Sequence, residues 1–153
     1  MINNSIIKKT EHLHWYKNAI STNTNELIIF SFNNIDIGFG SISKIDKINK
    51  NCTWGMYLKP DQLFLSHGVF LEIILINRMF YFHKISKIYG QTLSNNKAVL
   101  KIHKLMSFNK EGILKKQIFR NNHYLDLIIT SLFKSDWENN DKFIFKTIGS
   151  KKI

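Results

Sequence analysis

Cysteine, proline and arginine are scarce in this 153-residue sequence. Cys52 is the only cysteine, which excludes an internal disulfide and a cluster of metal-binding thiolates. Pro60 is the only proline, and no stretch rich in proline or glycine could serve as a linker between domains. We therefore expect one domain over residues 1–153, with a polar tail from residue 138 onwards.

Long apolar runs are also missing. The longest, from Val69 to Ile76, contains Glu72, whereas a helix that spans a bilayer needs roughly 20 apolar residues. The first five residues lack the basic and then apolar profile of a signal peptide. We expect a cytoplasmic protein that does not contact a membrane.

Acidic residues are few, and the formal net charge is +11. The excess comes from 20 lysines against two arginines, which are spread along the chain beside 17 asparagines. Arginine, whose planar fork suits phosphate recognition, has not accumulated. A nucleic-acid-binding module would need a basic stripe with exposed aromatic residues between the cations. The pattern favours a solvated basic surface, and a nucleotide cofactor or substrate is the anionic partner we expect instead.

The first half of the chain reads as a helix followed by three strands. Apolar residues alternate with polar or small ones, which is typical of strands. Asn33–Asn34 and Asn49–Asn51 are typical turn sequences, so the strands should form an antiparallel meander. The predicted elements are a helix capped by Thr10 and running to Ile20, and strands Glu26–Phe32, Ile35–Ile45 and Cys52–Leu58.

In the second half of the chain the spacing of the apolar residues changes, and the complete set of predicted elements gives an α/β (α+β) fold. A buried, largely apolar helix should connect the third strand to a fourth that runs parallel to it. A closing hairpin should turn at Asn121–Asn122. The predicted elements are helix Val69–Phe82, strand Ile85–Leu93, a helix after Ser94–Asn96, and strands Phe108–Phe119 and Tyr124–Phe133.

Several stretches in this order resemble motifs of the GCN5-related N-acetyltransferases. Ile37–Ile42 is similar to a strand of the family's meander, and Trp54–Pro60 to its next strand. Ser94–Phe108 resembles the family's "N-x-x-A" helix with the segment "[YH]-x-K-x-G-F", and Asn122–Trp137 resembles its closing hairpin. The resemblance covers about residues 8–137 and starts within the family's second helix. We therefore expect the family's first strand and first helix to be missing.

The resemblance implies an acetyl-CoA-dependent N-acetyltransferase. It is strongest to family members that acetylate an amino group on a nucleotide-linked amino sugar, as in the pseudaminic-acid pathway. An acetyltransferase of a protein N-terminus or another small amine is an alternative, as is a non-catalytic binding protein of the same fold. A homodimer is also compatible with the sequence.

The family binds the cofactor pyrophosphate with a glycine-rich loop at a helix N-terminus. The resemblance places this loop at Leu65, Ser66, His67 and Gly68, of which only Gly68 is a glycine. It also implies that Met56 and Leu58 offer backbone groups to the pantetheine amides. Asn96 would either bridge the cofactor and the helix or act as a plain helix cap.

His103 stands where the family has the general acid that protonates the departing CoA thiolate. An imidazole suits proton donation near neutral pH; the alternative is an ordinary surface histidine. Gln91 stands where related enzymes have a glutamate base, but an amide cannot accept the proton, so water would relay it. The other histidines lack metal-ligand spacing, so we expect no metal.

Overall fold

The computed structural model describes residues 7–59 and 65–140. Six strands and five helical segments make a mixed α+β fold in this part of the chain, which confirms the predicted fold class. The described residues group into two compact units that divide after Ile85. The single domain predicted over residues 1–153 stays a prediction. No helix in residues 7–59 or 65–140 is long and apolar enough to span a membrane.

The N-terminal unit contains the predicted antiparallel meander. β2 pairs with β1 on one side and with β3 on the other. Asn33 and Asn34 both have positive φ, the conformation that a two-residue hairpin turn requires. The elements are α1 (Lys9–Ile20), β1 (Glu26–Phe32), β2 (Ile35–Asp46), β3 (Asn51–Leu58), α2 (Leu65–Asn77) and a π-helix (Arg78–Phe82).

α2 packs on one face of this meander. A Cβ built on Gly40 would lie 3.0 Å from Leu75 Cδ2 and 3.0 Å from the ring of Phe30, so only glycine lets the strand and the helix approach this closely. Leu71, Leu75 and Ile76 are buried, as the apolar character of the helix predicts. Successive side chains of a strand point to opposite faces of the sheet. Every second side chain of β2 and β3 therefore lies on the face that α2 does not cover.

The C-terminal unit contains three antiparallel strands and a helix. β6 pairs with β4 on one side and β5 on the other. The predicted closing hairpin is confirmed, with positive φ at Asn121 and Asn122. The elements are β4 (Lys87–Leu93), α3 (Lys97–Leu105), β5 (Asn109–Arg120) and β6 (His123–Phe133). Residues 134–140 form a further helical segment that the sequence did not predict.

Several predicted boundaries were wrong. Thr10 lies inside α1, and the cap position is Lys8, whose N–H donates to Glu11 Oε2 at 2.9 Å. The α-helix predicted to end at Phe82 ends at Asn77, because a π-helical turn replaces its last five residues. The strand predicted from Ile85 begins at Lys87.

The described residues do not test two of the predictions about the fold. The parallel pairing of the third and fourth strands stays a prediction. The polar tail predicted from residue 138 onwards falls mainly on residues 141–153, which lie outside the described residues.

Candidate functional site

Near the end of β3, two residues direct their peptide groups away from β2. Lys59 N–H donates to Ile37 C=O at 2.9 Å, so the neighbouring pair Leu58–Gly38 is not hydrogen-bonded within the β2–β3 ladder. Hydrogen-bonded and non-hydrogen-bonded pairs alternate in an antiparallel ladder, so the pair Met56–Gly40, two residues earlier, is also not hydrogen-bonded between β2 and β3. The N–H and C=O groups of Met56 and Leu58 therefore point away from β2, as the predicted role in binding pantetheine amides requires.

α2 begins shortly after β3 and brings its N-terminus towards the end of that strand. Leu65, Ser66, His67 and Gly68 form its first turn. The first four N–H groups of an α-helix have no acceptor within the helix, and the helix dipole makes this end attractive to anions. A Cβ built on Gly68 would lie 3.5 Å from Leu58 Cδ1, so the structure brings Gly68 and Leu58 together.

His103 lies in the last turn of α3 and is 5% exposed. Its ring stacks on Phe108, with ring centroids 4.5 Å apart and an interplanar angle of 21°. The C=O of His103 accepts the N–H of Phe108 at 2.9 Å, which closes the chain around the end of the helix. The alternative of an ordinary surface histidine is therefore wrong, and the general-acid role stays a prediction.

Asn96 and Gln91 both precede α3 in the chain and have different predicted roles. Asn96 Oδ1 accepts the N–H of Val99 at 3.4 Å, so Asn96 caps α3, which is one of its two predicted roles; the contact with the cofactor stays a prediction. Helical rise places it about 10 Å from His103 along the axis, so the two do not meet. Gln91 is exposed on β4, opposite Ile129 of β6, and its role as the support of a water relay stays a prediction.

A polar cluster in the N-terminal unit escaped the sequence analysis. Arg78 Nε lies 2.8 Å from both carboxylate oxygens of Glu26, and Arg78 Nη2 also bonds this carboxylate. His83 Nε2 lies 2.7 Å from Glu26 Oε2. The Arg78 guanidinium also lies over the ring of Phe82, 4.3 Å from its centroid. The cluster joins the start of β1 to both ends of the π-helix.

The scarcity of arginine was the available signal for this cluster. Only two arginines are present, and one of them occurs next to the apolar helix. Its partner Glu26 is 52 positions away and His83 is 57 positions from Glu26, so local spacing could not pair them.

The cluster predicts an acid-dependent loss of stability. Hydrogen bonds from Arg78, and secondarily His83, hold the pKa of the Glu26 carboxyl below its ordinary value of 4.5, although partial burial acts in the opposite direction. Because the folded pKa is depressed, the stabilisation is fully present above pH 4.5 and is lost as the pH falls through the folded pKa. Urea unfolding should show a smaller difference between wild type and Glu26→Gln at pH 3 than at pH 7. An unchanged difference would contradict the assignment, and Glu138→Gln, an exposed carboxylate, is the matched control.

Other chemistries find little support in the described residues. Burial raises the pKa of the Cys52 thiol to about 12, so it is not a nucleophile at neutral pH. Residues 7–59 and 65–140 contain no group of three or more His, Cys, Asp or Glu side chains that could hold a metal ion.

The sequence matches no protein-family model. It is 31% identical over 116 residues to the SPbeta prophage-derived uncharacterized N-acetyltransferase YokL of Bacillus subtilis, an alignment that covers 74% of the present chain. The chain spans 64% of the length of that relative.

Solved structures of N-acetyltransferases share the fold. Spermidine N-acetyltransferase from Vibrio cholerae, in complex with CoA and spermine, matches with a TM-score of 0.83 and 18% identity, over 90% of this chain and 82% of its own. The dodecameric structure of spermidine N-acetyltransferase from Vibrio cholerae in an intermediate state matches with a TM-score of 0.77 and 19% identity, over 85% and 77% of the two chains. The fold of this chain is therefore the fold of the GCN5-related N-acetyltransferases.

Proposed function

We propose that this protein is an acetyl-CoA-dependent N-acetyltransferase. The observation that carries the proposal is the end of β3, where the outward peptide groups of Met56 and Leu58 adjoin the first turn of α2 at Gly68. This arrangement offers hydrogen-bonding groups to an extended amide chain and N–H donors to a pyrophosphate. The similarity to a relative named as an N-acetyltransferase and the CoA-bound neighbour of the same fold support it.

The residues of the N-terminal unit would bind the cofactor. The N–H groups of Leu65, Ser66, His67 and Gly68 hold the pyrophosphate, which places two negative charges at the positive end of the α2 dipole. Backbone groups of Met56 and Leu58 pair with the pantetheine amides. Because the anion is held by N–H groups and not by side chains, Ser66 and His67 can serve in a loop where the family has glycines.

His103 and Gln91 would serve the transfer step, as the sequence resemblance implies. The neutral acceptor amine forms a bond to the thioester carbon, the C–S bond breaks, and the CoA thiolate departs. His103 donates its proton to the thiolate sulfur, while the proton lost by the amine passes to water at Gln91, since an amide side chain cannot accept it. The stack on Phe108 fixes the ring plane of His103 and so limits the directions in which it can donate.

For the acceptor we propose the nucleotide-linked amino sugar that the sequence resemblance implies. The net charge of +11 supports an anionic acceptor, because a basic surface attracts a nucleotide and repels a polycation. A polyamine is the second candidate, since the solved structures of this fold include spermidine N-acetyltransferases. The sequence identities to those structures are 18 to 20%, which supports a shared fold but does not decide which acceptor this chain uses.

Two measurements test the proposal. Calorimetric titration with acetyl-CoA should show binding, and desulfo-CoA should compete, because the phosphate and pantetheine contacts do not involve the sulfur. Release of free CoA should then depend on a UDP-linked 4-amino sugar and not on spermidine. Absence of binding at millimolar acetyl-CoA would overturn the enzyme proposal and leave the non-catalytic binding protein. Turnover with spermidine alone would overturn the amino-sugar acceptor.

A further inference from the structure

An aromatic row crosses the face of the meander that α2 does not cover. Ile29, Phe39 and Tyr57 stand directly opposite one another on β1, β2 and β3. Ile29 is 61% exposed and Tyr57 is 50% exposed. Trp15 of α1 packs edge-on against Phe39, with ring centroids 6.5 Å apart, and is itself about half exposed. These four side chains, three aromatic and one isoleucine, are called the aromatic row below.

On β2 and β3, the next two rows of the same face are low and polar. Ser41 is opposite Gly55 of β3, with Leu27 of β1 on its other side, and Ser43 is opposite Thr53. A Cβ built on Gly55 would meet only Ser41 Oγ, at 3.5 Å, so little side-chain bulk stands above the backbone there. The hydroxyl-bearing residues are half-buried. A floor of hydroxyl groups therefore borders the aromatic row on one side.

Open space also lies beside Trp15 on α1. A depression of about 530 Å³ is bordered by Thr10, Glu11, His14, Trp15 and Asn18. The polar groups of this helix already have local partners: Glu11 accepts the N–H of Lys8, and His14 Nε2 lies 3.1 Å from Asn18 Nδ2. The space leaves room for a ring-sized ligand beside the indole of Trp15.

We propose that the aromatic row and its hydroxyl floor bind the sugar ring of an anionic, nucleotide-linked acceptor. Aromatic faces carry partial negative charge and attract the C–H face of a sugar ring, while Ser41, Ser43 and Thr53 can both donate to and accept from sugar hydroxyls. The proposal rests on the proposed function, since it names the surface that holds its acceptor.

The charges on this face favour a nucleotide sugar over a polyamine. The aromatic row and the floor contain no acidic residue, and the two carboxylates beside them already accept hydrogen bonds: Asp36 from Ser31 Oγ at 2.6 Å, and Glu11 from the N–H of Lys8 at 2.9 Å. A polyamine with several positive charges would need carboxylates to replace its hydration. Lys59, which is exposed and two residues beyond Tyr57, places a cation at the end of the row instead. Phosphate groups attached to the sugar would be attracted to it.

The test uses UDP-N-acetylglucosamine as a stable probe and calorimetry on the full chain. Tyr57→Leu and Trp15→Leu keep an apolar side chain but remove the aromatic face, so each should weaken binding about 10-fold. Tyr124→Leu, which alters an equally exposed tyrosine on β6, is the matched control and should leave binding unchanged. Ser41→Ala combined with Thr53→Val should weaken binding without changing the aromatic row.

A second measurement covers variants that fail to fold. In wild-type protein labelled with ¹⁵N-tryptophan, the indole resonance of Trp15, assigned with Trp15→Phe, should shift on addition of the probe. No binding, an unshifted Trp15 resonance, or an equal loss in Tyr124→Leu would overturn the proposal. Spermidine binding that is weakened by Tyr57→Leu would also overturn it, in favour of a cationic ligand.

The same experiments separate this proposal from the enzyme proposal. Acetyl-CoA should bind Tyr57→Leu and Trp15→Leu as tightly as wild type, because neither side chain belongs to the peptide groups or helix turn assigned to the cofactor. Acetyl-CoA binding without probe binding would leave the enzyme proposal standing and remove this one. Probe binding at the aromatic row without acetyl-CoA binding would leave the sugar-binding surface standing and remove the enzyme proposal.

Discussion

His103→Phe should lower kcat by about 10²- to 10⁴-fold, the usual contribution of a general acid. Phenylalanine keeps the aromatic stack on Phe108 but has no proton to donate. KM for acetyl-CoA should change little, because the proton is needed only as the thiolate departs and not for binding. Steady-state release of free CoA at saturating acceptor measures both quantities.

His103→Tyr is the matched partner of this variant, since tyrosine and phenylalanine differ only in the hydroxyl group. Tyr also stands at this position in the motif that the sequence resembles, so His103→Tyr should recover much of the rate. His103→Ala should lose rate as well, but it also leaves a cavity at a 5% exposed site and so needs a parallel measurement of thermal unfolding. A His103→Phe variant with the kcat of the wild type would remove His103 from the mechanism.

Gly68→Asp should weaken acetyl-CoA binding about 100-fold. The substitution places a carboxylate in the first turn of α2, beside the proposed pyrophosphate position, where unit charges about 5 Å apart repel by roughly 3 kcal/mol. Folding should not suffer, because an acidic residue near a helix N-terminus is favourable and replacing glycine lowers the entropic cost of the helix. Binding and stability should therefore change in opposite directions, as measured by calorimetry and urea unfolding.

Gly68→Asn isolates the charge in this experiment, since asparagine has nearly the same shape as aspartate. It should bind acetyl-CoA about 100-fold more tightly than Gly68→Asp, and the gap should narrow in high salt. The space beside Leu58 admits a Cβ at an ordinary contact distance of 3.5 Å, so steric exclusion does not account for the expected loss. Equal affinity of the two variants would place the phosphates elsewhere.

Local sequence patterns predicted most of the strands and their connections. The alternation from Ile35 onwards and the turn at Asn33–Asn34 specify a hairpin because both depend on neighbouring residues. The π-helix at Arg78–Phe82 was not predictable in this way, since its apolar residues fit an α-helical pattern equally well. The short helix at residues 134–140 follows a strand with no glycine or proline to mark the change.

The candidate site was only partly predictable, for a related reason. The outward direction of the Met56 and Leu58 peptide groups depends on the β2–β3 register, which a shift of one residue would reverse. The burial of His103 depends on how α3 and Phe108 pack, and the motif alone left a surface position equally open. The aromatic row requires three strands and a helix to be in register, so residues from Trp15 to Tyr57 meet only in the folded unit.

The burial of Cys52 makes this chain convenient for site-specific labelling. A thiol that is 0% exposed and has a pKa raised to about 12 reacts slowly with maleimides at neutral pH. A cysteine introduced on the surface of each compact unit could therefore carry a spin label or a fluorophore without removing the native residue. A fluorophore attached to a cysteine near the first turn of α2 would then report acetyl-CoA binding from the labelled native chain.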